Sequence, residues 1–405
     1  MSSVAPFARP LYVMPKPAGA SCNLNCAYCY YLEKACLYKD GAAQMMSDDM
    51  LELFTQRYME AQTSNQVLFT WHGGEPLMRP LSFYKKAISL QKRYAHGRQV
   101  NNVIQTNGTL LTDEWCEFFK GNGWLVGVSI DGPQEFHDAY RLTRSGKPTW
   151  EKVMAGIDLL KKHGVEWNAM AVVNSLNVGH PLRFYHFFKD IDCQYLQFSP
   201  IVERLSPHSD GRHLASPDDA DDCPVADFSV KAAQWGLFLN TIFDEWVRHD
   251  VGSTFVELFD CTLANWCGVT PGICVYAREC GNAAVMEANG DVYSCDHFVF
   301  PEYLLGNIRH ETIYEMLSGD SQQEFSKRKR ALLPRQCREC EVEFACHGEC
   351  PKNRFLRDCY GNKGLNYLCD GYRMFYLHVA PYMDFMRNEL ACGRQAANVM
   401  ALHKT

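Results

Sequence analysis

The sequence predicts an α/β chain: a partial, TIM-like (β/α)6 barrel followed by a smaller cysteine-rich unit. Three observations lead there. Short β-type apolar runs alternate with amphipathic helical stretches through the first half of the 405 residues. The alternation stops near residue 206, and a single helical run follows. Beyond that run the chain turns irregular and dense in cysteine, of which there are 19 in all.

Strands are expected at 11–14, 67–71, 101–105, 125–130, 167–173 and 195–201. Ser47 is a natural N-cap for a helix whose apolar face is Met50, Leu51, Phe54 and Tyr58. Amphipathic stretches at 82–94, 112–120, 149–163 and 181–189 fill the later gaps between strands. Five strand–helix steps leading into a sixth strand imply a parallel sheet, and right-handed crossovers curl it into a partial barrel. Chemistry in such barrels sits at the C-terminal ends of the strands. Residues 206–227, with Pro207, Pro217, Pro224 and the acids Asp218, Asp219, Asp221 and Asp222, read as a solvated surface segment. A helix over 232–247 comes next. The boundary is placed at 235, giving domains 1–235 and 236–405, and no tandem repeat of fixed period is present.

Composition removes several function classes. Hydrophobic content of 47% and charged content of 21% are ordinary for a globular protein. A net charge of −7 argues against a broad nucleic-acid footprint. No run of about 18 apolar residues occurs, so no membrane span is expected. Residues 1–10 lack an apolar secretory core, which points to the cytoplasm. Thiols there stay reduced, so metal ligation is a better use of the cysteines than disulfides.

Just past the first strand stands Cys22-Asn-Leu-Asn-Cys26-Ala-Tyr-Cys29, a C-x3-C-x2-C loop that can aim three sulfurs at one point. Soft thiolates select zinc or iron–sulfur centres. A [4Fe–4S] cube takes four ligands, so three local cysteines leave one iron open to a small chelating molecule. Three segments at strand ends accompany the loop: Gly73-Gly74-Glu75-Pro76, Gln105-Thr106-Asn107-Gly108 and Ser129-Ile130-Asp131-Gly132-Pro133. Glycines such as Gly73 and Gly74 let a backbone approach a ligand closely. Each segment also has a plain reading, as a turn or a turn cap, and Arg141 reads equally as a surface arginine.

The C-x3-C-x2-C loop with Tyr28 before its last cysteine resembles the signature of the radical S-adenosylmethionine (SAM) superfamily. The resemblance implies that Cys22, Cys26 and Cys29 hold a cluster whose fourth iron is chelated by SAM. An electron from the cluster would cleave SAM to a 5′-deoxyadenosyl radical. It also implies SAM contacts from Gly73, Gly74, Glu75, Asn107, Ser129, Asp131 and Arg141.

The second half carries Cys280, Cys295, Cys337, Cys340, Cys346, Cys350 and Cys369, with Cys274 just upstream. Their spacing resembles the SPASM extension of radical SAM peptide-modifying enzymes. By that resemblance Cys274, Cys280, Cys295 and Cys350 hold one auxiliary [4Fe–4S] cluster. Cys337, Cys340, Cys346 and Cys369 hold the other, for three clusters in all. Asn289-Gly290 is a hairpin signal between 284–287 and 291–293, and the hairpin carries Cys295 back toward its partners. Two structural zinc sites are the competing reading, since C-x2-C suits zinc as well. The other eight cysteines read as ordinary thiols, with Cys261 and Cys267 a spare pair at most.

Within the SPASM group the chain resembles anaerobic sulfatase-maturating enzymes over nearly its whole length. That implies oxidation of one cysteine or serine of an unfolded or nascent sulfatase polypeptide to Cα-formylglycine. Asp296, directly after Cys295, takes the place of the proposed base. Tyr31 and His72 fall in the substrate pocket, where histidine at 72 departs from the family's usual glutamine. A flavodoxin- or ferredoxin-type electron donor is implied. Two other functions stay open: another SPASM peptide maturase, such as a thioether-forming enzyme, and a non-catalytic iron–sulfur or zinc scaffold. Glu75, Ser129 and Asp131 beside an incomplete cluster speak against the scaffold. A barrel that begins almost at once, with no peptide-recognition domain ahead of it, speaks against the other maturase.

Overall fold

The structure is a computed structural model that describes residues 11–37, 45–208 and 213–403. Residues 1–10, on which the missing secretory core rests, lie outside the described residues, as does 209–212 of the expected surface segment.

Ten strands build the two main sheets. They are β1 (Tyr12–Pro15), β2 (Gln66–Trp71), β3 (Gln99–Thr106), β4 (Leu125–Ser129), β5 (Glu166–Val173), β6 (Tyr195–Pro200), β7 (Phe255–Val256), β8 (Ala283–Met286), β9 (Asp291–Tyr293) and β10 (Leu304–Asn307). A two-stranded ribbon, β11 (Leu356–Arg357) with β12 (Lys363–Leu365), stands apart. The helices of the first half are α1 (Asp48–Ala61), α2 (Leu81–Tyr94), α3 (Asp113–Gly121), the single turn α4 (Gln134–His137), α5 (Trp150–Lys162) and α6 (Pro181–Asp190). Then come α7 (Ala232–His249), α8 (Glu257–Trp266), α9 (Ile313–Ser318), α10 (Asp320–Ala331), the short α11 (Arg335–Arg338) and α12 (Glu343–Cys346), and α13 (Cys369–Ala391).

The parallel sheet runs β2-β3-β4-β5-β6-β7 and stays open, not a closed barrel. Its side-chain period is legible in β2, where Val67, Phe69 and Trp71 are buried and Leu68 faces out. Ser47 and Thr112 cap α1 and α3 as their side chains allow, accepting from Met50 N–H at 3.1 Å and Trp115 N–H at 3.4 Å.

One expectation fails. The first strand does not join this sheet, whose sixth member is β7. Instead β1 pairs in parallel with β8, Tyr12 opposite Ala283, in a second sheet ordered β1-β8-β9-β10. Tyr58 of α1 and Gln62 at its C-cap bond the chain at β1 and β2. The Tyr58 hydroxyl donates to the carbonyls of Leu68 (2.9 Å) and Leu11 (3.2 Å), and Gln62 donates to Leu11 at 3.0 Å. One backbone bond crosses there, His72 N–H to the Pro15 carbonyl at 3.2 Å.

Residue 235 falls in the first turn of α7, a helix packed on both α6 and α13. The crossing of α7 with α13 depends on Gly371, where a Cβ would lie 2.1 Å from the Ala232 carbonyl oxygen. That close approach seats the start of α13, and with it Cys369.

Candidate active site

The loop after β1 is held by the chain that follows α4. Asn25 N–H donates to Leu142 O (2.8 Å), Ala27 N–H to Tyr140 O (3.0 Å), and Arg144 Nε to Cys22 O (2.9 Å). Cys22 Sγ receives the Leu24 amide at 3.4 Å and Asn107 Nδ2 at 3.8 Å. Burial pushes the Cys22 thiol up to about 11 and Cys26 up to about 12; neighbouring Cys29 adds to both, while Arg141 opposes the rise at Cys26. Thiols so placed give up their protons to a metal and to little else.

The strand-end segments close on this loop. Gly74 N–H donates to Gly19 O and Glu75 N–H to Ser21 O, both at 2.8 Å. A Cβ on Gly74 would lie 2.0 Å from the Ser21 carbonyl oxygen. The close approach that the glycine permits is therefore to the cluster loop itself. Glu75 is fully buried. Its carboxylate accepts from Leu77 N–H (2.8 Å), Thr106 Oγ1 (2.8 Å) and Asn107 N–H (2.7 Å), tying the end of β2 to the end of β3. Burial pushes it up to about 7 against the pull of those bonds. Asn107 Nδ2 donates to Asn23 Oδ1 at 2.8 Å, and Ser129 Oγ accepts from Gln105 Nε2 at 3.0 Å. Asp131 and Arg141 form a buried ion pair at 3.0 Å. Asp131 also accepts from Val172 N–H at 2.9 Å and from the Tyr28 hydroxyl. Arg141 is thus a buried partner and not a surface cation.

The cysteines of the second half fall into two groups that feel one another's charge. Cys274 and Cys350 both raise Cys295, and Cys274 and Cys280 both raise Cys350, each after burial as the first cause. Separately, Cys369 and Cys337 raise Cys346, and Cys337 raises Cys369. Lys329, fully buried, donates to the carbonyls of Cys274 (2.6 Å), Val275 (2.8 Å) and Ala277 (2.5 Å), and places a cation beside the first group. Among the described residues no three Cys, His, Asp or Glu side chains gather tightly enough for a single metal ion. Cys261 is raised by burial and then by Glu257 and Asp260, not by another cysteine.

Between the two cysteine regions lies a charged junction. Asp296 Oδ1 is 2.5 Å from Lys16 Nζ, and Oδ2 accepts from the Tyr30 hydroxyl. Burial opposes ionisation of Asp296, but Lys16, then His72 and His297, hold it well below the usual carboxylate range. Lys16 also meets His72 Nδ1 at 3.0 Å and lies 4.4 Å from the Tyr31 ring centroid. Tyr31 donates to Glu287. A pocket lined by Tyr30, Lys34, Glu203, His297, Lys352 and Phe355 among others opens beside the junction. Sequence reasoning missed Lys16, Tyr30, Glu287 and Lys329, and saw Tyr28 as part of the loop but not as a partner of Asp131. A lysine ending an apolar strand and a tyrosine pair after Cys29 were the available signals.

The Radical SAM superfamily model matches residues 17–188, and an iron–sulfur cluster-binding domain model, SPASM, matches 274–341. A serine-type anaerobic sulfatase-maturating enzyme of Bacteroides thetaiotaomicron is 64% identical over 98% of this chain and 96% of that protein. The chain belongs to the anaerobic sulfatase-maturating enzyme family. A cysteine-type member from Clostridium novyi is 31% identical over 94% of this chain and 98% of its own length. The solved structure of native anSMEcpe with AdoMet and the Cp18Cys peptide bound has a TM-score of 0.82 at 30% identity, covering 94% of this chain and 100% of that one. The chain is accordingly a radical SAM enzyme with a SPASM iron–sulfur domain. Among the described residues no helix is long and apolar enough to cross a membrane.

Proposed function

We propose that this enzyme oxidises one serine of an unfolded or nascent sulfatase polypeptide to Cα-formylglycine, without oxygen. The observation that carries this reading is the Asp296 carboxyl beside Cys295, 2.5 Å from Lys16 Nζ and bonded to the hydroxyl of Tyr30, the residue after Cys29. The 64% identity to a serine-type relative favours serine over cysteine.

The donor set fits three [4Fe–4S] clusters: three thiols in one loop and two electrostatically linked groups of four. Cys22, Cys26 and Cys29 are assigned to the SAM cluster; Cys274, Cys280, Cys295 and Cys350 to one auxiliary cluster; and Cys337, Cys340, Cys346 and Cys369 to the other. Bound SAM and its cluster supply an agent that removes a hydrogen atom from the substrate Cβ. Gly73, Gly74, Glu75, Asn107, Ser129, Asp131 and Arg141 hold and orient SAM, several through the loops they brace. Asp296 accepts the hydroxyl proton, and Tyr31 and His72 line the substrate pocket. An auxiliary cluster held by these cysteines would supply an acceptor for the electron left on the substrate, and a flavodoxin- or ferredoxin-type protein would supply the electron that starts each turnover. Residues 1–235 carry the SAM chemistry and 236–405 the auxiliary clusters, in the cytoplasm. The test is anaerobic incubation with a serine-bearing sulfatase-motif peptide, SAM and a reductant. Mass spectrometry should find the loss of two hydrogens at that serine, and an unmodified peptide beside cleaved SAM refutes the assignment.

A further inference from the structure

Lys16 has a position that the reaction outlined so far leaves unused. It directly follows β1, and its side chain has no exposed surface. An ammonium group carries three donors and no acceptor. Around Nζ stand three receivers: Asp296 Oδ1 at 2.5 Å, His72 Nδ1 at 3.0 Å and the Tyr31 ring at 4.4 Å. His72 Nδ1 receives a second donor, the Gly73 backbone N–H, at 2.8 Å. A ring nitrogen facing two donors carries no proton, so the neutral imidazole keeps its hydrogen on Nε2. Burial, and then Lys16, push His72 down to about 3, so the ring is neutral at ordinary pH. Its Nε2–H has no protein partner among the described residues.

We infer that Lys16 is a positioning residue for the oxidation: it sets Asp296 as an acceptor and His72 Nε2–H as a donor, and that donor makes the pocket select a hydroxyl side chain. The inference rests on the serine-oxidising reading above. A serine hydroxyl uses both partners, giving its hydrogen to Asp296 and taking one from His72. A thiol sulfur is a weak acceptor and gains little from the second bond. A site built to hydrogen-bond a substrate hydroxyl loses most when the substrate lacks it, because the site's own polar groups go unpaired. Tyr31 is braced by the same lysine, so one buried cation orders both residues expected against the peptide.

The test uses the reconstituted holoenzyme with SAM bound and no reductant. Fluorescence anisotropy compares a serine-bearing sulfatase-motif peptide with its alanine and cysteine analogues. Wild type should bind the serine peptide about fivefold or more tightly than the alanine peptide, the scale of one net hydrogen bond. Lys16→Met should bring that ratio near one while iron content and SAM affinity stay unchanged. With reductant, Lys16→Met should lower kcat about 10-fold or more with a smaller change in KM, and should release more 5′-deoxyadenosine per formylglycine. Lys16→Arg, which keeps a charged donor, should recover part of both. If Lys16→Met keeps the serine-to-alanine ratio and the coupling of wild type, the inference is wrong. If Lys16→Met fails to load iron, His72→Phe decides, since it leaves the Lys16–Asp296 pair in place. Loss of the ratio in His72→Phe supports the donor role, and retention overturns it. A wild type that neither binds nor oxidises the serine peptide sinks the functional reading instead. A wild type that oxidises the serine peptide no better than Lys16→Met does sinks only this inference.

Discussion

Gly74→Ala is a one-carbon perturbation with a large expected effect. The new Cβ would stand 2.0 Å from the Ser21 carbonyl oxygen, 2.5 Å from the Ser21 carbonyl carbon and 2.9 Å from that of Ala20. All three are backbone atoms, so no rotamer change relieves the clash, and the two strands of chain must part by about 1 Å. Parting them breaks the bonds from Gly74 N–H to Gly19 O and from Glu75 N–H to Ser21 O. Two net hydrogen bonds at about 1 kcal/mol each, with overpacking strain of about 1–3 kcal/mol, total about 3–5 kcal/mol. For a chain of 405 residues, unfolding entropy near 2.1 cal/mol/K per residue turns 3 kcal/mol into a fall of about 3–4 °C in midpoint. The displaced segment, residues 19–21, leads into Cys22, so the SAM cluster should assemble poorly while the auxiliary clusters remain. Anaerobic iron analysis and a thermal melt, run beside Gly179→Ala, provide the measurement; a Cβ at Gly179 meets nothing within 4 Å. Full iron loading and an unchanged midpoint in Gly74→Ala would refute the packing argument.

The remaining predictions address metal, ligand and chemistry. Replacing Cys22, Cys26 and Cys29 together by alanine should remove about a third of roughly twelve irons per chain and leave the auxiliary spectra intact; a wild type that takes up zinc and no iron defeats the cluster assignment. Glu75→Ala cuts the bonds to Leu77, Thr106 and Asn107, so SAM binding should weaken about tenfold or more with iron retained, and equilibrium dialysis showing wild-type affinity would move the SAM site elsewhere. Asp296→Asn should keep all three clusters and still cleave SAM, while formylglycine yield falls about 10²-fold or more, the usual scale for a lost general base; wild-type yield in the same reaction would assign proton removal to another group.

Local signals in the sequence translated directly into local structure. Ser47 and Thr112 cap helices because a hydroxyl at that position satisfies an otherwise orphaned amide, wherever the helix later packs. The Asn289-Gly290 signal became the β8–β9 hairpin, with Gly290 at φ 95°. Pairings distant along the chain were not legible. Nothing near residue 12 announces that β1 lies beside β8, about 270 residues later, because both strands are apolar and any parallel neighbour suits them. The partners of Asp296 were hidden for the same reason: Lys16 and Tyr30 lie 280 and 266 residues away. Arg141 and Gly74 were visible as residues but not in their roles. A guanidinium reads as surface until Asp131 is seen beside it, and a glycine pair reads as a turn until Ser21 is seen against it.

Membership of β1 in the second sheet bears directly on catalysis. Pro15 pairs with Met286, Lys16 N–H bonds Met286 O at 2.9 Å, and His72 N–H bonds Pro15 O at 3.2 Å. Residues 15 and 16 therefore touch both sheets through backbone hydrogen bonds. The cluster loop begins six residues further on, and Asp296 follows β9, the hairpin partner of β8. A single strand thus fixes the separation between the SAM cluster loop and Asp296. Had the halves met only through side-chain packing, like two domains joined at 235, that separation would vary with every relative motion. The proposed hydrogen abstraction and proton removal at one serine would both demand placement to about 0.5–1 Å. A strand shared between the sheets satisfies that demand, and it explains why the buried cation at its end, Lys16, is the residue that bonds Asp296 and His72 together.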